Sequence, residues 1–146
     1  MKKLLRVVSV IVVLSMLLII PVQAQGAAST RASAFFAAYG TVLEKISSTS
    51  FRVWFDVDAN AKLMQELGTS EIVVYKSSDQ ENWTPVKTYT KENYSNMIDT
   101  NSYSYIAYLS YSSAVPGYYY MARVTFYAKN SSGVGMLDEY TEIIKM

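Results

Sequence analysis

Within 146 residues the chain carries thirteen basic and twelve acidic side chains, no cysteine and no histidine. The missing cysteine excludes a disulfide framework and a lipid anchor on an N-terminal cysteine. With histidine also absent, the thiolate nucleophile, the commonest general base and the commonest soft metal ligand are all gone.

The chain opens with a basic stretch, MKKLLR over Met1 to Arg6, followed by a fourteen-residue apolar run from Val7 to Ile20. Pro21 breaks the run, and Val22-Gln23-Ala24 sets small residues three before and one before a cut. This order predicts a secretory signal peptide over 1–24, with export after cleavage at Ala24. Fourteen residues make about 21 Å of helix, short of the roughly 30 Å hydrocarbon core. No later segment is long and apolar enough to span a bilayer, so no membrane association is expected after cleavage.

Without the leader's Lys2, Lys3 and Arg6, ten basic residues face twelve acidic ones, a net charge of −2. No basic patch survives, which argues against nucleic acid or an anionic membrane as partner. Residues 25–33 (QGAASTRAS) read as a flexible leader, and 34–146 as one β-sandwich domain.

From Ser50 onward the pattern has a period of two. Phe51, Val53, Phe55 and Val57 share one face of a predicted strand, and Arg52, Trp54, Asp56 and Asp58 share the other. Asn60 is positioned to cap a short helix over 61–67 (AKLMQEL), ended by Gly68, with Leu63, Met64 and Leu67 covering one end of the core. Glu71 to Ser77 (EIVVYKS) reads as a more fully buried strand. Trp83 to Thr90 is the next, an edge strand because Pro85 cannot donate to a ladder. Asn101 to Tyr111 (NSYSYIAYLSY) alternates again, though its phase is not fixed by the pattern.

Tyr118 to Lys129 gives the cleanest alternation. Tyr118, Tyr120, Ala122, Val124, Phe126 and Ala128 face one way; Tyr119, Met121, Arg123, Thr125, Tyr127 and Lys129 face the other. Asn130 to Gly133 makes a hairpin turn into a last strand ending near Ile144. With a first strand over 34–46, about seven strands predict an all-β, antiparallel sandwich.

Two stretches carry a resemblance. VYKSSDQENWTPVKTY resembles the middle hairpin of fibronectin type III and related immunoglobulin-like domains. GYYYMARVTFYAKNSSGVG resembles their last hairpin, with a tyrosine near the strand start and an Asn-x-x-Gly turn. The likeness covers roughly 50–136, and the whole chain also resembles small exported Gram-positive bacterial proteins of uncharacterised function. It implies an immunoglobulin-like fold and carries no catalytic or ligand residues, since such folds host unrelated functions.

FDVDANAKLMQE over 55–66 begins as a calcium loop does, with Asp56, Asp58 and Asn60 at the first three ligand positions. Such a loop needs Gly at its sixth position and Glu at its twelfth; here Ala61 and Leu67 stand there. Serine has no G-x-S-x-G elbow and no histidine to activate it. The sequence therefore predicts no catalytic, cofactor or metal site.

Eight tyrosines between Tyr94 and Tyr120, interleaved with serine and asparagine, are the feature that points to recognition. The outward candidates are Trp54, Tyr119, Tyr127 and some of Tyr103, Tyr105, Tyr108 and Tyr111. The leading expectation is an exported, non-catalytic interaction or structural module. The alternative is a carbohydrate-binding module using exposed rings. Coplanar rings on an open face would suit a glycan, and a continuous apolar patch with a polar rim would suit a protein.

Overall fold

The computed structural model describes residues 34–146; the predicted signal peptide and the leader over 25–33 lie outside the described residues. Among the described residues nine strands form two antiparallel sheets. The smaller holds β1 (Phe36–Lys45), β2 (Phe51–Ala59) and β6 (Ser104–Tyr111) in the order β1-β2-β6. The larger runs β4-β3-β7-β8, from β4 (Thr84–Thr90) through β3 (Met64–Ser77) and β7 (Tyr119–Asn130) to β8 (Gly133–Tyr140). β5 (Ile98–Ser102) adds to β3, and β9 (Ile144–Lys145) to β7. The chain is thus an all-β sandwich.

Alternation builds the core. Phe51, Val53, Phe55 and Val57 of β2 are buried, as are Tyr120, Ala122, Val124, Phe126 and Ala128 of β7. Ile72, Val74 and Leu67 of β3 complete the layer between the sheets. Each large apolar side chain buried there contributes about 1.5–3 kcal/mol relative to exposure. The two predicted inward faces coincide with this core.

Tyr120 joins the core to the chain that enters β7. Its ring is buried 5.3 Å from Phe51, and its hydroxyl accepts the Val115 N–H at 2.8 Å. The β3–β4 turn is held by Asp79, whose carboxylate accepts the N–H groups of Glu81 and Asn82 and the Ser77 hydroxyl. These bonds, with the one from the Asn82 side chain, hold the Asp79 carboxyl well below the usual carboxylate range. Pro85 lies on β4 at the sheet edge, as its missing donor requires. The β7–β8 hairpin turns at Asn130 to Gly133, with Asn130 Oδ1 accepting the Ser132 N–H at 2.8 Å.

Three expectations need correction. The helix over 61–67 does not form: Ala61 takes a left-handed φ of 54°, and Met64 begins β3. Local helix propensity is overridden by pairing of Met64 to Gly68 with β5 and of Glu66 to Gly68 with β7. Gly68 is accordingly not a helix end. It sits in β3 at φ 152°, where a Cβ would fall 2.1 Å from the Met97 carbonyl oxygen.

The segment 101–111 is not one strand either. Asn101 has a φ of 53°, and the chain leaves β5 in the larger sheet to enter β6 in the smaller. Pairing with β2 fixes the phase of β6, setting Tyr105, Ala107, Leu109 and Tyr111 opposite Val57, Phe55, Val53 and Phe51. The third correction is the strand count, nine in place of about seven; β5 and β9 are short additions to the larger sheet. Among the described residues no helix is long and apolar enough to cross a membrane.

Candidate functional site

The outer face of the smaller sheet follows from the same alternation. Cross-strand register stacks its outward residues in rows: Glu44–Arg52–Ser110, Val42–Trp54–Tyr108, Gly40–Asp56–Ile106 and Ala38–Asp58–Ser104. The second row is apolar, and Ile106 extends it. Val42 is 52% exposed and Ile106 67%, large values for aliphatic side chains on a regular strand. Trp54 is half-buried between them.

The first row locks the aromatic pair. The Trp54 indole donates to Glu44 Oε2 at 2.7 Å, and Glu44 also pairs with Arg52 at 3.5 Å. Arg52 lies over the Tyr108 ring, 4.5 Å from its centroid. The Trp54 and Tyr108 rings are 4.7 Å apart and meet at 51°. They do not form the flat platform on which a sugar ring stacks.

Two shallow depressions flank Ile106. One, of about 490 Å³, is bounded by Val42, Glu44, Trp54, Asp56 and Ile106. The other, of about 410 Å³, is bounded by Asp56, Asp58, Ser104, Tyr105 and Ile106. Asp56 and Asp58 stand outward on β2, in a strand and not in a metal-binding loop. Among the described residues no group of three or more His, Cys, Asp or Glu is arranged to hold a metal ion.

The remaining predicted rings divide by environment. Tyr111 is in the core against Phe51 and Tyr120, so it is not a surface candidate. Tyr127 is on the outer face of the larger sheet, yet it is buried beneath Lys91, whose Nζ is 3.8 Å from the ring centroid. Tyr105 packs on Phe55 and donates its hydroxyl to the Asn96 carbonyl. Tyr119 is half-buried under Lys145. Tyr103 is exposed at the β5–β6 crossing. Trp54 and Tyr108 alone come together as an accessible pair, and Val42 and Ile106, not anticipated from the sequence, complete the patch. Ile106 has the same phase as Tyr108, a signal that becomes readable only once the strand break at Tyr103 is known.

The larger sheet presents a different outer face. Glu66 bridges Lys91 and Lys129 at 3.0 Å each, Arg123 pairs with Glu71, and Thr125 donates to Asp138 at 2.6 Å. Hydrogen bonds from Lys129 and Lys91 lower the Glu66 pKa. A groove of about 720 Å³ bounded by Ser70, Glu71, Thr90, Thr125, Met136 and Asp138 lies on this face, with Glu71 and Asp138 already engaged by neighbours; along β8, Val134, Met136 and Tyr140 are exposed.

No family model matches the chain, and no curated protein matches it. Among solved structures the chain is similar to Northeast Structural Genomics Consortium target SoR45, solved by X-ray. The two share 10% identity over 73% of this chain and 81% of that one, with a TM-score of 0.32.

Proposed function

We propose that the chain is an exported, non-catalytic interaction module of immunoglobulin-like type, binding a protein through the outer face of its smaller sheet. The observation that carries this reading is the exposed apolar row Val42–Trp54–Tyr108 with Ile106, which the core does not use. An apolar centre rimmed by Glu44, Arg52, Asp56 and Asp58 has the anatomy of a protein interface. The 51° between the rings favours that partner over a glycan.

The immunoglobulin-like assignment is supported by strand order. β1-β2-β6 against β3-β7-β8 has the A-B-E and C-F-G connectivity of such sandwiches. The Tyr120 hydroxyl, which accepts the Val115 N–H five residues back, supports the same reading, since a tyrosine near the start of the corresponding strand bonds upstream backbone in such domains. Export rests on the basic start, the short apolar run and the Val-x-Ala ending.

Two measurements test the proposal. Intact mass of protein recovered from the medium should correspond to a chain beginning at Gln25; recovery only from membranes with 1–24 attached contradicts export. Pull-downs from extracellular protein and from cell-wall polysaccharide should retain a protein with the wild type and lose it with Val42→Thr/Ile106→Thr. Retention on polysaccharide, or equal behaviour of the two variants, contradicts the proposed surface.

A further inference from the structure

We propose that the outer face of the smaller sheet docks a polypeptide segment presenting an apolar side chain and, two residues away, a lysine or arginine. This rests on the reading of that face as a protein-binding surface and adds the chemistry of what it binds.

Charge decides the occupant. On this face Glu44 and Arg52 cancel each other, leaving Asp56 and Asp58 as an excess of two negative charges. Glu44, Glu66 and Glu71 each pair with a cation of this chain. Among the described residues neither Asp56 nor Asp58 has one within ion-pair distance. The two carboxylates stand two residues apart on one face of β2, a separation of about 7 Å along the strand. Like charges so placed repel one another, and an incoming cation between them relieves that repulsion.

Shape puts the charge beside the apolar patch. Gly40 is opposite Asp56, and a Cβ on it would lie 2.8 Å from Asp56 Oδ1. The carboxylate therefore leans over β1, into the space a larger residue at 40 would take. Asp56 and Ile106 line both depressions, so the apolar and acidic sides share a wall. A group seated between Val42, Trp54 and Ile106 is one outward row from Asp56 and two from Asp58. In an extended segment, residues i and i+2 share a face at the same spacing of about 7 Å. An apolar–any–basic pattern fits this step.

Other occupants fit less well. A second copy set face to face brings four aspartates together at one interface, and nucleic acid meets the same acidic excess.

The experiment uses the isotope-labelled protein and two acetylated, amidated peptides with Gly-Ser flanks. One reads leucine-threonine-lysine-threonine-lysine; the other carries glutamate in place of each lysine. Amide shifts are followed to millimolar peptide. The lysine peptide is expected to shift amides around Val42, Asp56 and Ile106, and to bind at least about tenfold more tightly than the glutamate peptide, a gap that narrows with salt. Asp56→Asn/Asp58→Asn should bring the two peptides to similar affinity, with Asp58→Asn alone as the fallback if the double variant loses its dispersed spectrum. Val42→Thr/Ile106→Thr should weaken both. Equal binding of the two peptides at this face overturns the basic assignment while leaving the surface standing. Shifts elsewhere, or none with either peptide, overturn both. Face amides that shift with protein concentration alone make a second copy the occupant and overturn the proposal.

Discussion

Tyr120 fills the centre of the core with its ring and anchors the chain before β7 with its hydroxyl. Tyr120→Phe keeps the ring and strips the Val115 N–H of its acceptor. Urea unfolding should show a loss of about 1–2 kcal/mol. Gly68 and Gly133 separate backbone strain from contact. Both have positive φ, 152° and 140°, but a Cβ at 68 strikes the Met97 carbonyl whereas one at 133 meets open space. Gly133→Ala should cost about 1–3 kcal/mol from strain alone, and Gly68→Ala distinctly more, on the order of 4 kcal/mol or above; equal losses would show that the approach of Met97 is unimportant. Tyr89 gives a signal at high pH. Burial pushes its hydroxyl up to about 12 from 10.0, and that hydroxyl donates to the Ser110 carbonyl across the sandwich at 2.9 Å. A raised folded-state pKa contributes stability fully present below pH 10 and lost as pH rises towards 12. Tyr89→Phe should therefore be less stable at pH 8, with a shallower decline between pH 10 and 12.

At the scale of elements, β2 and β7 were legible because alternation needs nothing beyond each strand's own residues. The 61–67 segment reads as a helix because AKLMQEL favours one locally, while what decides its state, pairing with β5 and β7, is remote in sequence. The break at Tyr103 was hidden for a related reason: alternation continues through 101–111 although the chain changes sheets. That break also concealed the partner of Trp54, so half of the candidate patch was readable and half was not. Glu66 shows why the β3 start holds. Its pKa is lowered by the bonds from Lys129 and Lys91, so the stabilisation is present above pH 4.5 and lost as pH falls through the folded-state value. Glu66→Gln should be less stable than wild type by up to about 1 kcal/mol at pH 7, and the two should converge at pH 3. A gap that persists at pH 3 would assign the loss to packing.

Across the whole molecule both outer faces carry exposed apolar side chains, set among different charges. The larger sheet covers the β3–β7 part of its outer face with bridged charges and lysines over tyrosine rings, while Val134, Met136 and Tyr140 of β8 stay exposed on the same side. The smaller sheet leaves Val42, Tyr108 and Ile106 in solvent and two aspartates without a cation among the described residues. Under the proposed function the inner face of β2 serves folding and its outer face serves binding. Phe55→Ala should cost about 3–5 kcal/mol. The most direct test is urea unfolding of Val42→Thr/Ile106→Thr, a change that keeps branched side chains suited to a strand while removing apolar surface. The predicted result is a stability within about 1 kcal/mol of wild type with an unchanged denaturant slope. A loss of about 3 kcal/mol or more would contradict the binding role of this face, because these side chains would then belong to the folded core and not to an open surface.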